Sequence, residues 1–402
     1  VQCARQPDLS LAETVRFRYV KTMNWIDRIV DETGWRRDPG GPGWEQVERG
    51  AAGACIFTAV RDWVRDLDHP ALLPIKGGKV ERFVQIQPPL DVELLNSGRG
   101  DLGVVQFNQP LSGSDYRALA DFLRDNPDVT LRAYGFDQEL ASLEFLRWFP
   151  DLASFSLDGL HYVDNLEGLR QLPVDLSCID VGQTNRSLDL RPLMRFPCIR
   201  KLRIRGHSKG LAELLRSNQQ LQALALWSCA LDGLLGGLEF PNLESLALTL
   251  GSYKSNTWLP RTEMLRYLAL RGVRGVAEVE FLAEFGSLQW LWLDALAKVA
   301  RLPDLSPHAE LRRVDLTEMR GLRGVDSLEP LCRVPKLEEL LVTESKLPVA
   351  AFRPLVEMPT LRRVGVGLGS QRRNEAVDKL LGRPAPGSLN QFSDRVGLTL
   401  VY

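Results

Sequence analysis

Along the middle of this chain, apolar residues recur in a fixed internal pattern. One apolar residue is followed by a second three positions on and a third two beyond that. The pattern starts at Leu152, Leu176, Ile199, Leu221, Leu243, Leu265, Leu288, Leu311, Leu337 and Leu361, so the unit repeats every 22 to 26 residues. Its last two members, such as Leu224 and Leu226 or Leu291 and Leu293, stand two apart. A spacing of two puts both side chains on one face of a strand. A single strand cannot bury that face, but units stacked as a parallel sheet can. Proline two residues ahead of the unit, at Pro150, Pro197, Pro241, Pro335 and Pro359, bars helix continuation and helps set the turn into the strand. The second halves of the units are short. Apolar residues three apart, as at Leu166, Leu169 and Leu172 or Val325, Leu328 and Leu331, predict 3₁₀ or brief helical turns, and a true short helix is expected at Leu211–Ser217.

Residues 152–366 resemble the leucine-rich-repeat family, and residues 325–343 are similar to its 22-residue subclass of bacterial internalins and SDS22-like proteins. The resemblance implies an α/β fold: a right-handed, curved solenoid with a parallel sheet on the concave face and 3₁₀ or short helical segments on the convex side. One departure stands out. The family places Asn or Cys eight residues after the first leucine, where it bonds the backbone of the turn. Here those positions are Leu160, Thr184, His207, Cys229, Gly251, Val273, Leu296, Met319, Ser345 and Gly369, and only Cys229 matches. Turns less regular than the family's are therefore expected.

Leu102, Val105 and Phe107 repeat the pattern earlier, followed by a helical stretch over residues 114–124 and a shortened unit over 129–134. The array is assigned to residues 99–370. Residues 1–98 do not repeat. Helical spacing predicts a helix over 11–30 and another over 51–67, separated by a Gly/Pro loop at 38–43 and followed by a strand near 80–86. This region is assigned as a mainly helical cap over the exposed edge of the sheet. A separate functional domain is the other reading. Residues 371–402 are assigned as a C-terminal cap, with a helix over 374–381 and an extended segment over 396–402.

Composition narrows the function. The 402 residues carry 50 basic and 51 acidic side chains. That balance disfavours a nucleic-acid binder, which needs a positive excess to neutralise phosphates. No segment is long and apolar enough to span a membrane, and the first residues carry no apolar signal-peptide region. Six scattered cysteines form no CxxC pair, and four distant histidines match no metal spacing. A cytoplasmic bacterial protein, monomeric and with reduced thiols, is expected; a secreted effector is the alternative. Catalytic signatures are missing: the Gly77-Gly78-Lys79-Val80 run lacks the frame of a phosphate loop, and there is no Gly-x-Ser-x-Gly elbow. No cofactor, metal or catalytic residue is assigned.

The candidate site comes from the residues that alternate with the buried ones. They point to the outward, concave face of the sheet. Lys201, Arg203 and Arg205 form a basic row suited to an acidic partner, although Asp180 could instead pair with Arg203 across strands. Small residues follow, Ala223, Ala225, Ser245, Ala247 and Ala269. Around this floor stand Trp227, Tyr267, Trp290 and Trp292, with Arg271 and Asp294 beside them. Aromatic and arginine anchors carry much of the energy of protein interfaces, so a protein or peptide partner is expected here. A second account has Trp290 and Trp292 packing on each other, or under the N-terminal segment, to seal the surface. A third has an enzyme or small-molecule site in a deep pocket bounded by Trp227, Trp290 and Trp292.

Overall fold

The computed structural model describes residues 82–97, 102–230, 233–252, 259–387 and 389–398, together with an antiparallel pairing of Arg36–Arg37 with Trp44–Glu45. The helices expected over 11–30 and 51–67 and the loop at 38–43 lie outside the described residues. Two units divide the chain, Val1–His69 and Pro70–Tyr402, and the sheet belongs to the second.

That sheet has thirteen described strands, all parallel and in strict sequence order. They are β1 (Arg82–Gln85), β2 (Leu102–Phe107), β3 (Thr130–Ala133), β4 (Ser154–Ser156), β5 (Cys178–Val181), β6 (Lys201–Arg205), β7 (Ala223–Trp227), β8 (Ser245–Thr249), β9 (Tyr267–Arg271), β10 (Trp290–Asp294), β11 (Arg313–Thr317), β12 (Glu339–Thr343) and β13 (Arg363–Gly367). Register follows the apolar pattern: Leu202, Leu224, Leu246, Leu268, Leu291, Val314, Leu340 and Val364 pair in one row across β6 to β13. A slip of one residue would turn that whole row to the other face, which is why the pattern fixes the register. The first six residues of this row to β11 are fully buried, as are the unit-starting Leu221, Leu243, Leu265 and Leu288 behind it. Residues 82–367 form a leucine-rich-repeat solenoid.

The strand expected near 80–86 exists, but as β1 it pairs with β2, so the sheet begins inside the stretch assigned to the cap. Its Val84 and Ile86 are buried in the same core as the repeats. The connecting segments behave as their apolar spacing requires. Glu167–Gln171 and Glu329–Arg333 are 3₁₀ helices, and Leu211–Ser217 is α-helical. The helix expected over 114–124 spans Gly113–Asp125, started by Ser112, whose side chain accepts the Asp115 N–H.

The turns that leave the strands are more regular than the missing Asn implied. From β6 to β12 the residue after each strand adopts positive φ: Gly206, Ser228, Leu250, Gly272, Ala295, Glu318 and Glu344, between 49° and 72°. Each N–H from Gly206 to Glu318 then donates to the carbonyl of the last residue of the next strand, at 2.7 to 3.0 Å. The hydrogen-bond ladder therefore continues one residue past the strand although no one side chain recurs there. Positive φ strains a residue with a Cβ, and here the repeated ladder bond holds it. At the family's Asn position Leu160, Val273, Leu296 and Met319 are simply buried. His207 alone reproduces a two-sided bond: its Nδ1 accepts the Leu188 N–H at 3.1 Å, and its Nε2 lies 2.8 Å from the Gly182 carbonyl, which must then accept the ring N–H.

Beyond β13 the helix expected at 374–381 spans Gln371–Leu381 and ends at Gly382, with φ 61°. Arg383 donates to the carbonyls of Leu355, Val356 and Met358, tying the segment to the preceding 3₁₀ helix. The Val364 N–H on edge strand β13 donates to the Pro384 carbonyl, which covers part of the open edge. The next segment, to which no element was assigned, is an α-helix over Leu389–Val396, named the strap helix from here on. Residues 399–402 lie outside the described residues.

Candidate functional site

The outward face carries three rows of side chains, one from the start, one from the middle and one from the end of each strand. Alternation places them as the sequence indicates. Their exposure differs from the expectation. Trp290 and Tyr267 are fully buried, Trp292 is 5% exposed and Arg203 is 1% exposed. Of the expected aromatic wall, Tyr267, Trp290 and Trp292 are thus a covered floor, and Trp227 stays partly exposed. The covering element at Trp290 is the strap helix, at the opposite end of the chain from the segment the sealing account named. Phe392 meets Trp290 edge-on, with ring centroids 5.3 Å apart, and Trp290 in turn lies 4.8 Å from Tyr267. Phe392 and Leu398 are buried in one apolar cluster with Ala223, Ala225, Ala247, Ala269 and the three aromatics.

Local geometry explains how two strap residues reach the same cluster. Gly397 adopts φ 63° just after the helix. Its N–H bonds the Asp394 carbonyl, and the Leu398 N–H bonds the Ser393 carbonyl at 2.9 Å. This pair of bonds is a Schellman ending, which folds the residue after glycine back along the helix. Polar contacts hold the flanks. Arg395 pairs with Glu338 and Glu339 at 3.3 and 3.0 Å. Arg266 donates to the Val396 and Gly397 carbonyls. Arg313 stacks over both Trp290 and Phe392, pairs with Asp315 and Glu339, and reaches the Gly387 carbonyl at 3.3 Å.

The buried charges under the strap are matched. Asp315 accepts the Trp290 indole N–H at 2.7 Å and faces Arg313, yet burial wins and pushes its carboxyl above the usual range. Trp292 has no such acceptor: its indole N–H is buried and unbonded, although Arg271 stacks over the ring at 4.5 Å.

The basic row is also altered. Burial alone would raise Asp180, but Arg203 holds its carboxyl below the usual range through a two-point contact, with Nε donating to Oδ1 at 2.8 Å. Ser156 adds a bond at 2.7 Å. Arg205 pairs with Asp158 at 2.9 Å and lies over the Trp227 ring at 5.4 Å. Burial and the nearby Arg203 press Arg205 down to about 10, which leaves it a cation at neutral pH. Arg132 joins the same network through Asp158 and Gln106. Two of the three bases are therefore engaged within the chain, and the half-buried Lys201 stands beside them.

What remains accessible is the row at the strand ends. Arg205, Trp227, Thr249, Arg271, Asp294, Thr317 and Thr343 pair in register and are each partly exposed. Arg271 and Asp294 pair across it at 3.4 Å. Where a deep pocket was expected, the face at Trp290 is covered by the strap. A cleft of 970 Å³ does open elsewhere, lined by residues such as Gln138, His161, Tyr162, Asn165 and Asn185, and by none of the tryptophans. Among the described residues no group of His, Cys, Asp or Glu could hold a metal, and no helix is long and apolar enough to cross a membrane.

The strand order and leucine register are those of the leucine-rich-repeat fold. Solved structures similar to it include an internalin of Listeria monocytogenes, at TM-score 0.45 and 12% identity, covering 71% of this chain and 86% of that one. A Leptospira interrogans leucine-rich-repeat protein gives TM-score 0.38 and 14% identity, over 81% and 98%. Internalin C2 of Listeria monocytogenes gives 0.34 and 18%, over 56% and 83%. No family model matches the sequence, and no curated protein matches it.

Proposed function

We propose that this chain is a binding scaffold whose protein or peptide partner docks on the outward face of the sheet. One observation carries the reading: that face already holds a peptide segment, the chain's own residues 389–398, through an aromatic contact, buried apolar side chains and an arginine–glutamate pair. The contact residues assigned to the partner are the accessible Trp227, Arg271, Asp294, Arg205 and Lys201. Tyr267, Trp290 and Trp292 form the floor beneath the strap. Aromatic and arginine side chains at the accessible row are the types that anchor interfaces. A cytoplasmic setting is part of the proposal, with buried thiols such as Cys178 and Cys229 staying reduced. An adaptor, an immunity-type protein and an effector would all use such a face.

The test is capture from source lysate by the native chain and by a Trp227→Ala/Arg271→Ala variant of unchanged circular dichroism. A protein captured by the native chain and lost by the variant supports the assignment. Equal capture by both removes the site from this row, and capture by neither counts against a protein-binding role.

A further inference from the structure

We propose that the strap occupies a partner's site, and that the partner's segment is a short helix presenting an aromatic residue and an arginine three residues on, ended by a glycine turn that folds back an aliphatic residue three beyond the arginine. This rests on the scaffold reading above and names the chemistry of its ligand. The strap itself supplies the template: Phe392, Arg395 and Leu398 stand at that spacing. Each has a receptor on the sheet. Phe392 has the edge of Trp290 and the guanidinium of Arg313. Arg395 has Glu338 and Glu339, the latter buried and shared with Arg313. Leu398 shares the cluster that contains the alanines of β7 to β9.

Two features mark the strap as exchangeable rather than integral. It follows a separate anchor, since Arg383 and Pro384 bond the preceding repeat and the sheet edge without it. The intervening run, Ala385 to Gly387, contains Pro386 and no regular element, so the helix can leave while the anchor stays. The strap is also short: beyond Phe392 and Leu398, its described side chains are only partly buried or polar. The repeats keep their own separate core throughout. A segment held by few buried side chains belongs to the low-stability end of a fold. Tethered so closely, it competes at high effective concentration with any segment arriving from outside.

A labelled synthetic peptide of residues 386–398 tests this against two full-length chains, the native one and a Phe392→Ala/Arg395→Ala/Leu398→Ala variant with its strap unseated. Fluorescence anisotropy should show the peptide binding the variant about tenfold or more tighter than the native chain, because the tethered copy excludes it. A peptide with Phe392→Ala should lose that binding. Failure of the peptide to bind a folded variant, or equal binding to both chains, overturns the proposal. Should the variant not fold, hydrogen exchange on the native chain decides. Strap amides exchanging at least a hundredfold faster than those of β10 support an exchangeable segment, whereas equal protection refutes it. The scaffold reading is judged separately: capture lost with Trp227→Ala/Arg271→Ala but no peptide binding leaves a partner on the accessible row and a strap that is only structural.

Discussion

Replacing Phe392 with alanine separates a seated strap from a core element. Phe392 is 1% exposed and touches Trp290, Arg313 and Arg395. Truncating such a ring in a rigid core costs about 3–5 kcal/mol, from lost transfer energy and the cavity left behind. The edge-on contact with Trp290 adds about 0.5–1.5 kcal/mol. A strap has an escape that a core residue lacks, because it can detach once its main anchor is gone. Its loss is then capped at whatever docking the strap contributed. We expect Phe392→Ala to lower global stability by about 1–3 kcal/mol in urea unfolding, below the full core value. Acrylamide quenching of indole fluorescence should rise as Trp290 and Trp292 are uncovered. Phe196→Ala is the control: Phe196 is fully buried in the repeat core and should cost about 3–5 kcal/mol with no change in quenching. A Phe392→Ala chain that loses as much as the control, with unchanged quenching, would refute the detachable strap.

Other expectations follow from the turns and buried polar groups. Ala295, at φ 53°, carries backbone strain that glycine relieves, so Ala295→Gly should raise stability by about 1 kcal/mol, read as a higher melting temperature. Gly206→Ala should lower it by a similar amount, because nothing lies within 4 Å of the added Cβ and only the backbone is affected. Burial holds His207 and His308 below the usual histidine value. The unfolded chain takes up those protons below about pH 6.5 while the folded chain resists. Stability should therefore be full above that pH and fall as pH drops toward the folded values. His207→Asn, which offers an acceptor to Leu188 and a donor to Gly182, should make the fall between about pH 6.5 and 5 shallower; an unchanged slope in urea titrations would contradict this. Trp290→Phe strands Asp315 without its indole donor and should cost about 1–3 kcal/mol. Trp292→Phe removes an unbonded N–H and should stay within about 1 kcal/mol, so equal losses would contradict the assigned bonding.

The repeats were legible because each unit solves the same burial problem with the same three positions. Local rules also sufficed for Leu211–Ser217, for the 3₁₀ segments and for the direction in which Trp290 or Arg203 points. Exposure was not legible, since it depends on Phe392 meeting Trp290 and Arg395 meeting Glu339 across long stretches of chain. A trace was present: Phe392 and Val396 follow a Gly/Pro run at helical spacing. β1 was expected as a strand but not as part of the array, because Arg82–Gln85 is too short to display the repeat, though Val84 and Ile86 alternate as its strands do. The regular turns escaped notice because Leu250, Ala295, Glu318 and Glu344 are not residues that favour positive φ. For Leu250, Ala295 and Glu318 the conformation is held by the neighbouring repeat's carbonyl rather than by their own side chains.

A stack of repeats ordinarily communicates only between neighbours, so its end can melt unit by unit while the middle stands. The strap changes that wiring. Arg266, at the entrance to β9, grips its last turn, and Glu338 and Glu339, at the entrance to β12, grip Arg395. Repeats three apart are thereby clamped to one short helix. Fraying from the C-terminal edge must either break that clamp or carry the central repeats with it. With the clamp closed, the last five strands should melt as one block. With it open, they should unravel in steps, so that seating or releasing a single helix sets how far along the array a disturbance at one end is felt.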